Sequence, residues 1–269
     1  MSIILRFKLF AFFLLAHTVV NAQNIKINEI CSVNYICNED DFDEHEDWVE
    51  FYNAGGSSVN MAGMYLTDDF SNLTKFQIPS GSSSATTIAA SGKELFWFDD
   101  ETYKGALHAN FKLNNSGEQL ALVASDGVTI IDSITFPALS YDVSYGRTTN
   151  GSSSWSFFPV PTPGSSNTGG GYTGIAGKAA FDMDAGFYTS SIQVVLTTPD
   201  PSSTIYYSLN GDDPSSFSGT LYTGPVNISS TKVMRARVYK SNYIPGEITT
   251  RSYFINRPHD LPILSVVTD

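Results

Sequence analysis

Short runs of β-forming residues, separated by clusters of Gly, Ser, Asn and Asp, are the feature that most restricts the fold of this 269-residue chain. No long stretch from Ile25 onward shows the apolar spacing of an amphipathic helix. In one run, apolar Val49 and Phe51 alternate with Trp48, Glu50 and Tyr52, which is typical of a strand with two different faces. The pattern predicts an all-β fold.

Seven such runs precede residue 159, and their spacing over about 130 residues predicts a β-sandwich. They cover residues 25–31, 48–53, 64–67, 93–98, 119–124, 129–136 and 155–158. The sequence thus places a first sandwich in residues 23–158.

A segment rich in Pro, Gly and Ser, residues 159–177, follows this sandwich. Proline removes hydrogen-bond donors and glycine adds backbone entropy, so the segment predicts a linker. Beyond it, apolar alternation predicts a second, smaller sandwich of immunoglobulin or fibronectin type in residues 178–257. In its run 233–239, the three apolar side chains are expected to face the core, and Arg235, Arg237 and Tyr239 to face outward or toward a partner.

The first 22 residues read as a secretory signal peptide, with Arg6 and Lys8 near the start, an apolar run, and small residues before a cleavage site after Ala22. The alternative is a membrane anchor or a core helix, but the apolar run is shorter than the roughly 18 residues that a span needs. No later segment is long enough to span a membrane. We therefore expect an exported protein, extracellular or at the cell surface.

Cys31 and Cys37 are the two cysteines of the chain. An exported chain with two nearby cysteines permits a disulfide between them. Two separately buried thiols are the alternative, because a free cysteine behaves as a small hydrophobic residue. The sequence leaves both open.

The formal net charge of −12 argues against a generic nucleic-acid binder. Removing residues 1–22 takes away two basic residues and no acidic one, which makes the remaining chain more acidic. Residues 23–158 hold six basic and nineteen acidic residues, whereas residues 178–257 are close to neutral. The acidity belongs to the first predicted sandwich.

Eight acidic residues lie between Glu39 and Glu50. Carboxylates packed so closely repel one another, and an oxygen-liganded cation such as Ca²⁺ relieves the repulsion. A solvated acidic loop is the alternative, and no glycine lies between Glu39 and Asp47 to make a sharp binding turn. Glu50 can also be read as a strand residue whose charge faces solvent. The candidate metal ligands are Asp40, Asp41, Asp43 and Asp47, with Asp68 and Asp69 from a neighbouring turn.

Aromatic side chains offer a second candidate surface, a platform on which sugars could stack, although core packing is the alternative reading. No motif predicts catalysis: the histidines lack metal-ligand spacing, no serine lies in a G-x-S-x-G turn, and no P-loop is present. The candidate platform residues are Trp48, Tyr52, Trp97, Phe111, Trp155, Phe157 and Phe158.

Several segments of the first sandwich resemble those of the bacterial lamin-tail domain, including Ile27-Asn28-Glu29-Ile30 and Asp47-Trp48-Val49-Glu50-Phe51. Others are residues 64–69, 110–113, 116–118 and 142–147, and residues 162–167 resemble the usual exit of that domain. The resemblance implies an immunoglobulin-like β-sandwich that serves as an extracellular accessory module without catalysis of its own. Lamin-tail sequences often place a glycine near the position of Asp43, which this chain lacks.

The second unit is similar to the chitobiase/β-hexosaminidase C-terminal domain, on residues 204–208, 210–214, 222–225 and 234–237. That resemblance implies another accessory sandwich. Residues 261–269 resemble the first strand of a CotH-kinase domain, so that residues 258–269 read as the start of such a domain. This order of modules implies the front part of a longer secreted protein, with any kinase residues beyond Asp269.

Three functions are therefore weighed. The first is a secreted, non-catalytic region that positions a downstream CotH-like domain and is stabilised by calcium. The second is a module that binds carbohydrate or another cell-envelope component. The third is protein phosphorylation by the complete polypeptide, which predicts no phosphotransfer from residues 23–269 alone.

Overall fold

Strands make up nearly all the regular structure of residues 24–257, which are the residues that the computed structural model describes. The predicted signal peptide, residues 1–22, and the predicted start of a CotH-like domain, residues 258–269, lie outside this range. The chain is all-β, as the sequence predicted. No helix in residues 24–257 is long and apolar enough to cross a membrane.

Twelve strands build the first unit. All seven strands that the sequence predicted are present, with small shifts at their ends, and the additional ones are short. The strands are β1 (Ile25–Cys31), β2 (Asp47–Asn53), β3 (Val59–Asn60), β4 (Tyr65–Thr67), β5 (Phe76–Gln77), β6 (Thr87–Ile88), β7 (Lys93–Phe98), β8 (His108–Ala109), β9 (Gly117–Val123), β10 (Ile130–Pro137), β11 (Ser144–Arg147) and β12 (Trp155–Phe158).

Two sheets pack together in this unit. A six-stranded sheet has the order β12-β11-β1-β2-β7-β8, and a four-stranded sheet has the order β10-β9-β4-β5. One hydrophobic cluster joins them, because Ile27, Phe51 and Phe96 of the first sheet share it with Leu122 and Phe136 of the second. The alternation in β2 is thus confirmed for its core face.

The opposite face of β2 is covered as well. Trp48 is fully buried there in a small cluster with Cys31 and Trp97. Strand β1 has an irregular register beside it, since the pairing with β2 shifts between Ile27 and Glu29. The shift brings Glu29 opposite Glu50, and both side chains are buried.

Nine strands build the second unit. Five of them form a sheet in the order β14-β21-β20-β17-β18, and two pairs, β13-β16 and β15-β19, complete it. The strands are β13 (Ala180–Phe181), β14 (Gly186–Tyr188), β15 (Ile192–Val194), β16 (Leu196–Thr197), β17 (Thr204–Ser208), β18 (Thr220–Leu221), β19 (Val226–Ile228), β20 (Lys232–Tyr239) and β21 (Thr249–Ile255).

Strand β20 follows its predicted alternation on one face only. Met234, Ala236 and Val238 are fully buried in the core, as expected. The expectation that Arg235 faces outward is wrong, since this side chain is buried and pairs with Asp213 at 2.6 Å. The pairing offsets the cost of burying its charge.

The segment between the two units is hydrogen-bonded to both of them. The Phe157 and Tyr172 backbones form a bridge, and the Phe157 N–H donates to the Tyr172 carbonyl at 3.0 Å. Ile175 pairs with Ile244 of the second unit, and both side chains pack into the core cluster of the first unit. The two sandwiches are therefore held together by backbone hydrogen bonds and hydrophobic packing as well as by the covalent chain.

Candidate functional site

The first six acidic residues of the acidic run lie in the loop between β1 and β2, and one of the carboxylates of this loop is buried. Asp40 turns inward, and its Oδ1 accepts hydrogen bonds from the backbone N–H groups of Phe42 at 2.8 Å and Glu44 at 3.0 Å. Asp43 adopts a left-handed backbone, with φ of 61°, at the turn between these residues. The Asp40 side chain thus orders the loop to which it belongs, through hydrogen bonds to the loop backbone.

Lys104 supplies the positive charge inside this loop. Its side chain is only 3 % exposed, and its Nζ lies 3.3 Å from Asp40, 3.5 Å from Asp99 and 2.6 Å from Glu101, with Glu44 also in contact. Burial lowers the pKa of Lys104, but the hydrogen bonds to these carboxylates outweigh it and hold the pKa above its ordinary value. The ammonium group stays protonated and neutralises part of the cluster.

Asp99 also holds a histidine. The Nδ1 atom of His108 lies 2.7 Å from Asp99 Oδ2, and both side chains are buried. The His108 ring packs edge-on against Phe42, with the ring centroids 5.9 Å apart. The parallel pairing of β7 with β8 creates this contact by setting His108 beside Trp97.

Two groups in residues 24–257 bring metal-ligating atoms within 4.8 Å of one another. One is Asp40 with Asp99 and His108, and the other is Glu44 with Glu46 and Glu101. The first group fits a calcium ion poorly, since the Lys104 ammonium already lies against Asp40 and Asp99 and an imidazole is not a ligand that Ca²⁺ prefers.

The predicted ligands are dispersed, and of the six only Asp40 belongs to either group. Asp41 and Asp43 are exposed, and Asp69 accepts hydrogen bonds from Ser71 within its own turn. Asp68 pairs with Lys75 at 2.6 Å, and Asp47 Oδ2 accepts the Leu113 N–H at 3.2 Å. Calcium binding stays a prediction, and the aspartates named for it do not converge.

Sequence reasoning missed Lys104, Asp99, Glu101 and His108 as members of this cluster. They lie some 60 residues after the acidic run, and only the pairing of β2 with β7 brings the two segments together. The one local signal was the excess of acidic residues, whose mutual repulsion a nearby cation relieves.

A second polar cluster is buried under the segment that leaves the first sandwich. The reading that Glu50 faces solvent is wrong, because its side chain is fully buried and accepts hydrogen bonds from Asn28 at 2.7 Å and from the Gly164 N–H at 2.7 Å. Burial raises the pKa of Glu50 to about 7. Glu29 beside it accepts from the Thr162 N–H and hydroxyl at 2.9 and 2.7 Å.

Asn167 completes this cluster, and like Asn28 it is buried. Its Nδ2 donates to the Arg147 carbonyl at 2.7 Å, and its Oδ1 accepts from Asn28 Nδ2 at 3.0 Å. Residues 162–167, expected to be part of a linker, therefore dock on the face of β1 and β2 that points away from the core. Their hydrogen bonds give the buried carboxylates the partners that burial demands.

The proposed aromatic platform is wrong for most of its members. Trp48, Trp97, Phe111 and Phe157 are buried in the core clusters, and Phe158 is fully buried as well. Tyr52 and Trp155 are half-buried, and Trp155 is covered on one side by the stacked ring of Tyr145. Hydrophobic packing accounts for these rings.

Other aromatic residues are exposed instead. Tyr35 and Tyr141 are 68 % and 64 % exposed, with ring centroids 6.0 Å apart, and Ile36 beside them is 71 % exposed. The carboxylate of Asp142 holds this tip in place, because its Oδ1 accepts the backbone N–H groups of Tyr35, Ile36 and Cys37. We call the side chains of Tyr35, Ile36 and Tyr141 the tyrosine tip.

A cleft of about 430 Å³ lies where the two sandwiches meet. Ser140 of the first sandwich donates to Glu247 of the second at 2.6 Å, and Lys178 pairs with Glu247 at 2.5 Å. The cleft walls carry no histidine, cysteine or metal-ligating cluster within the described residues. Its polar groups hold the sandwiches together and leave no set of reactive groups free.

Two family models match the chain. Residues 19–138 match the Lamin Tail Domain, and residues 183–250 match the Chitobiase/beta-hexosaminidase C-terminal domain. A search of curated proteins gave no match. The first match ends before β11 and β12, which extend the same sheet beyond it. The chain therefore carries a lamin tail domain followed by a chitobiase/β-hexosaminidase C-terminal domain, both immunoglobulin-like.

Proposed function

We propose that this chain is a non-catalytic accessory module in which two sandwiches form a rigid spacer outside the cytoplasm. The observation that carries the proposal is the packed junction. Ile244 of the second unit is buried in the core cluster of the first, and Ser140 and Glu247 are hydrogen-bonded across the cleft. A spacer fixed in this way holds an attached domain in a defined direction, whereas a flexible tether does not.

The rigid spacer supports a role in presenting another domain. Residues 261–269 resemble the first strand of a CotH-kinase domain, and in this proposal that domain continues in the same polypeptide. The docked segment 162–167 removes the freedom that its Pro, Gly and Ser residues would otherwise give.

Nitrogen-15 relaxation on the purified chain tests the spacer. A rigid module gives one rotational correlation time for amides of residues 25–158 and of residues 178–255. Two clearly different correlation times would mean independent sandwiches and would overturn the proposal.

A phosphotransfer assay tests the absence of catalysis. Residues 23–269 incubated with labelled ATP and a general acceptor protein should transfer no phosphate. Phosphate transfer by this segment would assign an activity to the two sandwiches, and transfer by the longer polypeptide alone would assign it to the CotH-like domain.

The tyrosine tip supports a second candidate function, binding of a neutral polysaccharide. Its two rings lie edge to face with an interplanar angle of 69° and are largely exposed, and sugar rings can stack on such exposed aromatic surface. The acidic first sandwich repels polyanions, so an uncharged glycan suits it better than an anionic envelope polymer.

Pull-down with insoluble neutral polysaccharides tests this candidate. Tyr35→Ala and Tyr141→Ala should each lower the bound fraction, while Tyr103→Ala is the matched control because Tyr103 is also a highly exposed tyrosine, 80 % exposed. Equal binding by all three variants and the parent chain would remove the tyrosine tip as the binding surface.

A further inference from the structure

The two cysteines of the chain lie side by side. Their Sγ atoms are 3.9 Å apart, with Cys31 fully buried at the end of β1 and Cys37 half-buried in the loop after that strand. A disulfide needs an S–S distance of about 2.0 Å, so bond formation brings the sulfur atoms closer and replaces the hydrogen bond that the Cys37 thiol donates to Asn34 Oδ1 at 3.0 Å. We infer that Cys31 and Cys37 form an intrachain disulfide when the chain meets a thiol oxidant of the glutathione disulfide type.

The loop between the cysteines already folds back so that Cys37 lies beside Cys31, as a disulfide requires. Asn34 is buried, and its Nδ2 donates to the carbonyls of Asn38 at 2.7 Å and Glu46 at 2.9 Å. Asp142 holds the backbone on the other side by accepting the Cys37 N–H at 3.2 Å. Closing the bond therefore costs little further backbone entropy, since these contacts have already ordered the loop.

A buried, unpartnered donor lies beside the sulfur atoms. Trp48 packs against both cysteines, and its indole N–H is buried without a hydrogen-bond acceptor among the described residues. Such a group is costly in a protein interior, and a thiolate at Cys37 gives it an acceptor. The site thus favours the reactive form of one cysteine.

The two thiols differ in the way that an attacking and a resolving cysteine differ. The hydrogen bond from Cys31 lowers the pKa of the Cys37 thiol and outweighs the raising effects of burial and of the Asp142 carboxylate. The pKa of the Cys31 thiol is raised by its hydrogen bond to Cys37 and by burial. Cys37 is also the more accessible of the two, so it reacts first.

The exchange proceeds in two balanced steps. The Cys37 thiolate attacks one sulfur of oxidised glutathione, forms a mixed disulfide and releases one glutathione thiolate. The Cys31 thiol then loses its proton to solvent, attacks the Cys37 sulfur and releases the second glutathione. The chain loses two hydrogen atoms, and the oxidant gains them as two thiols.

Redox titration of the purified full chain tests the inference. After full reduction and exposure to glutathione buffers of rising oxidation, intact mass should show a loss of two hydrogen atoms, and the denatured chain should no longer be alkylated. The fluorescence of Trp48 should fall, because a disulfide quenches an adjacent indole.

Single variants test the order of the steps. Cys31→Ala should retain glutathione on Cys37, because no resolving thiol remains, whereas Cys37→Ala should keep a free Cys31 that the oxidant does not reach. A wild-type chain that keeps both thiols, carries a lasting glutathione adduct or forms disulfides only between chains would overturn the inference. The wild-type measurement stands without the variants if either of them fails to fold.

Discussion

Glu29 and Glu50 show how strongly a single buried charge depends on its partners. They lie opposite each other on β1 and β2, and neither is exposed. Burial raises the pKa of both carboxyl groups, and their mutual repulsion raises that of Glu50 further. The hydrogen bonds that both carboxyl groups accept from segment 162–167 offset the cost of their burial and hold that segment in place.

This raised pKa predicts a pH dependence of stability. A carboxyl whose folded-state pKa of about 7 exceeds its unfolded value near 4.5 binds protons more tightly in the folded state. The contribution of the protonated carboxyl to folding stability is complete below about pH 4.5 and is lost as the pH rises to 7. As the pH rises through this range, we expect the free energy of unfolding of Glu50→Gln to fall by roughly 2 kcal/mol less than that of the wild-type chain.

Urea unfolding at pH 5 and pH 8, followed by tryptophan fluorescence, measures this effect. Trp48, Trp97 and Trp155 are the three tryptophans of the chain and all lie in the first sandwich, so the signal reports that unit alone. Asp41→Asn, at an exposed position, is the control. A pH response of Glu50→Gln equal to that of the control would show that Glu50 does not titrate in this range.

Lys104 gives a second prediction for a single residue. Replacing it by Met leaves Asp40 and Asp99 buried with no ammonium group beside them. Breaking a buried ion pair in this way costs about 3 kcal/mol, and we expect the first sandwich to lose about that much stability. Calcium should restore more stability to Lys104→Met than it adds to the wild-type chain, because the cation then meets no ammonium.

Thermal unfolding with and without millimolar calcium checks this prediction. Lys112→Met is the control, since Lys112 is an exposed lysine that pairs with Glu46 at 3.3 Å. Equal calcium responses in wild type and Lys104→Met would mean that Lys104 does not compete with the cation.

Among the elements, the segment 162–167 departs most from its sequence character. Its composition favours an unstructured linker, yet its backbone N–H groups at Thr162 and Gly164 donate to Glu29 and Glu50. Asn167 anchors its end through hydrogen bonds to Asn28 and Arg147.

Asn167→Ala tests this anchoring. The substitution leaves the buried Asn28 side chain and the Arg147 carbonyl short of hydrogen-bond partners, and we expect a loss of about 2 kcal/mol in the first sandwich. Tryptophan-detected urea unfolding measures it, with Asn72→Ala at an exposed turn as the control. A stability equal to that of the control would mean that the segment is not anchored through Asn167.

At the scale of the whole molecule, the junction makes the two sandwiches depend on each other. Ile244 belongs to the second unit in sequence, but its side chain is buried in the first core cluster. Truncating a buried isoleucine leaves a cavity beside the residues that packed against it. Truncating Ile244, although it lies in the second unit, should therefore weaken the first.

Ile244→Ala tests that coupling. We expect the tryptophan-detected unfolding of the first sandwich to lose about 2 kcal/mol. Val238→Ala is the control, because Val238 is buried in the core of the second unit and should leave the tryptophan signal unchanged. An unchanged tryptophan signal in Ile244→Ala would contradict the coupled junction.

The amino-acid sequence by itself determined the all-β class, seven of the strands of the first unit, and the core face of β2 and β20. These features follow from local alternation, which neighbouring residues encode. Only the tertiary structure decided that Glu50 and Arg235 are buried, that Lys104 neutralises the acidic loop, and that Cys31 meets Cys37 under Trp48. Such facts depend on which strands pair and which segments cover their outer face, and residues far apart in the sequence set both.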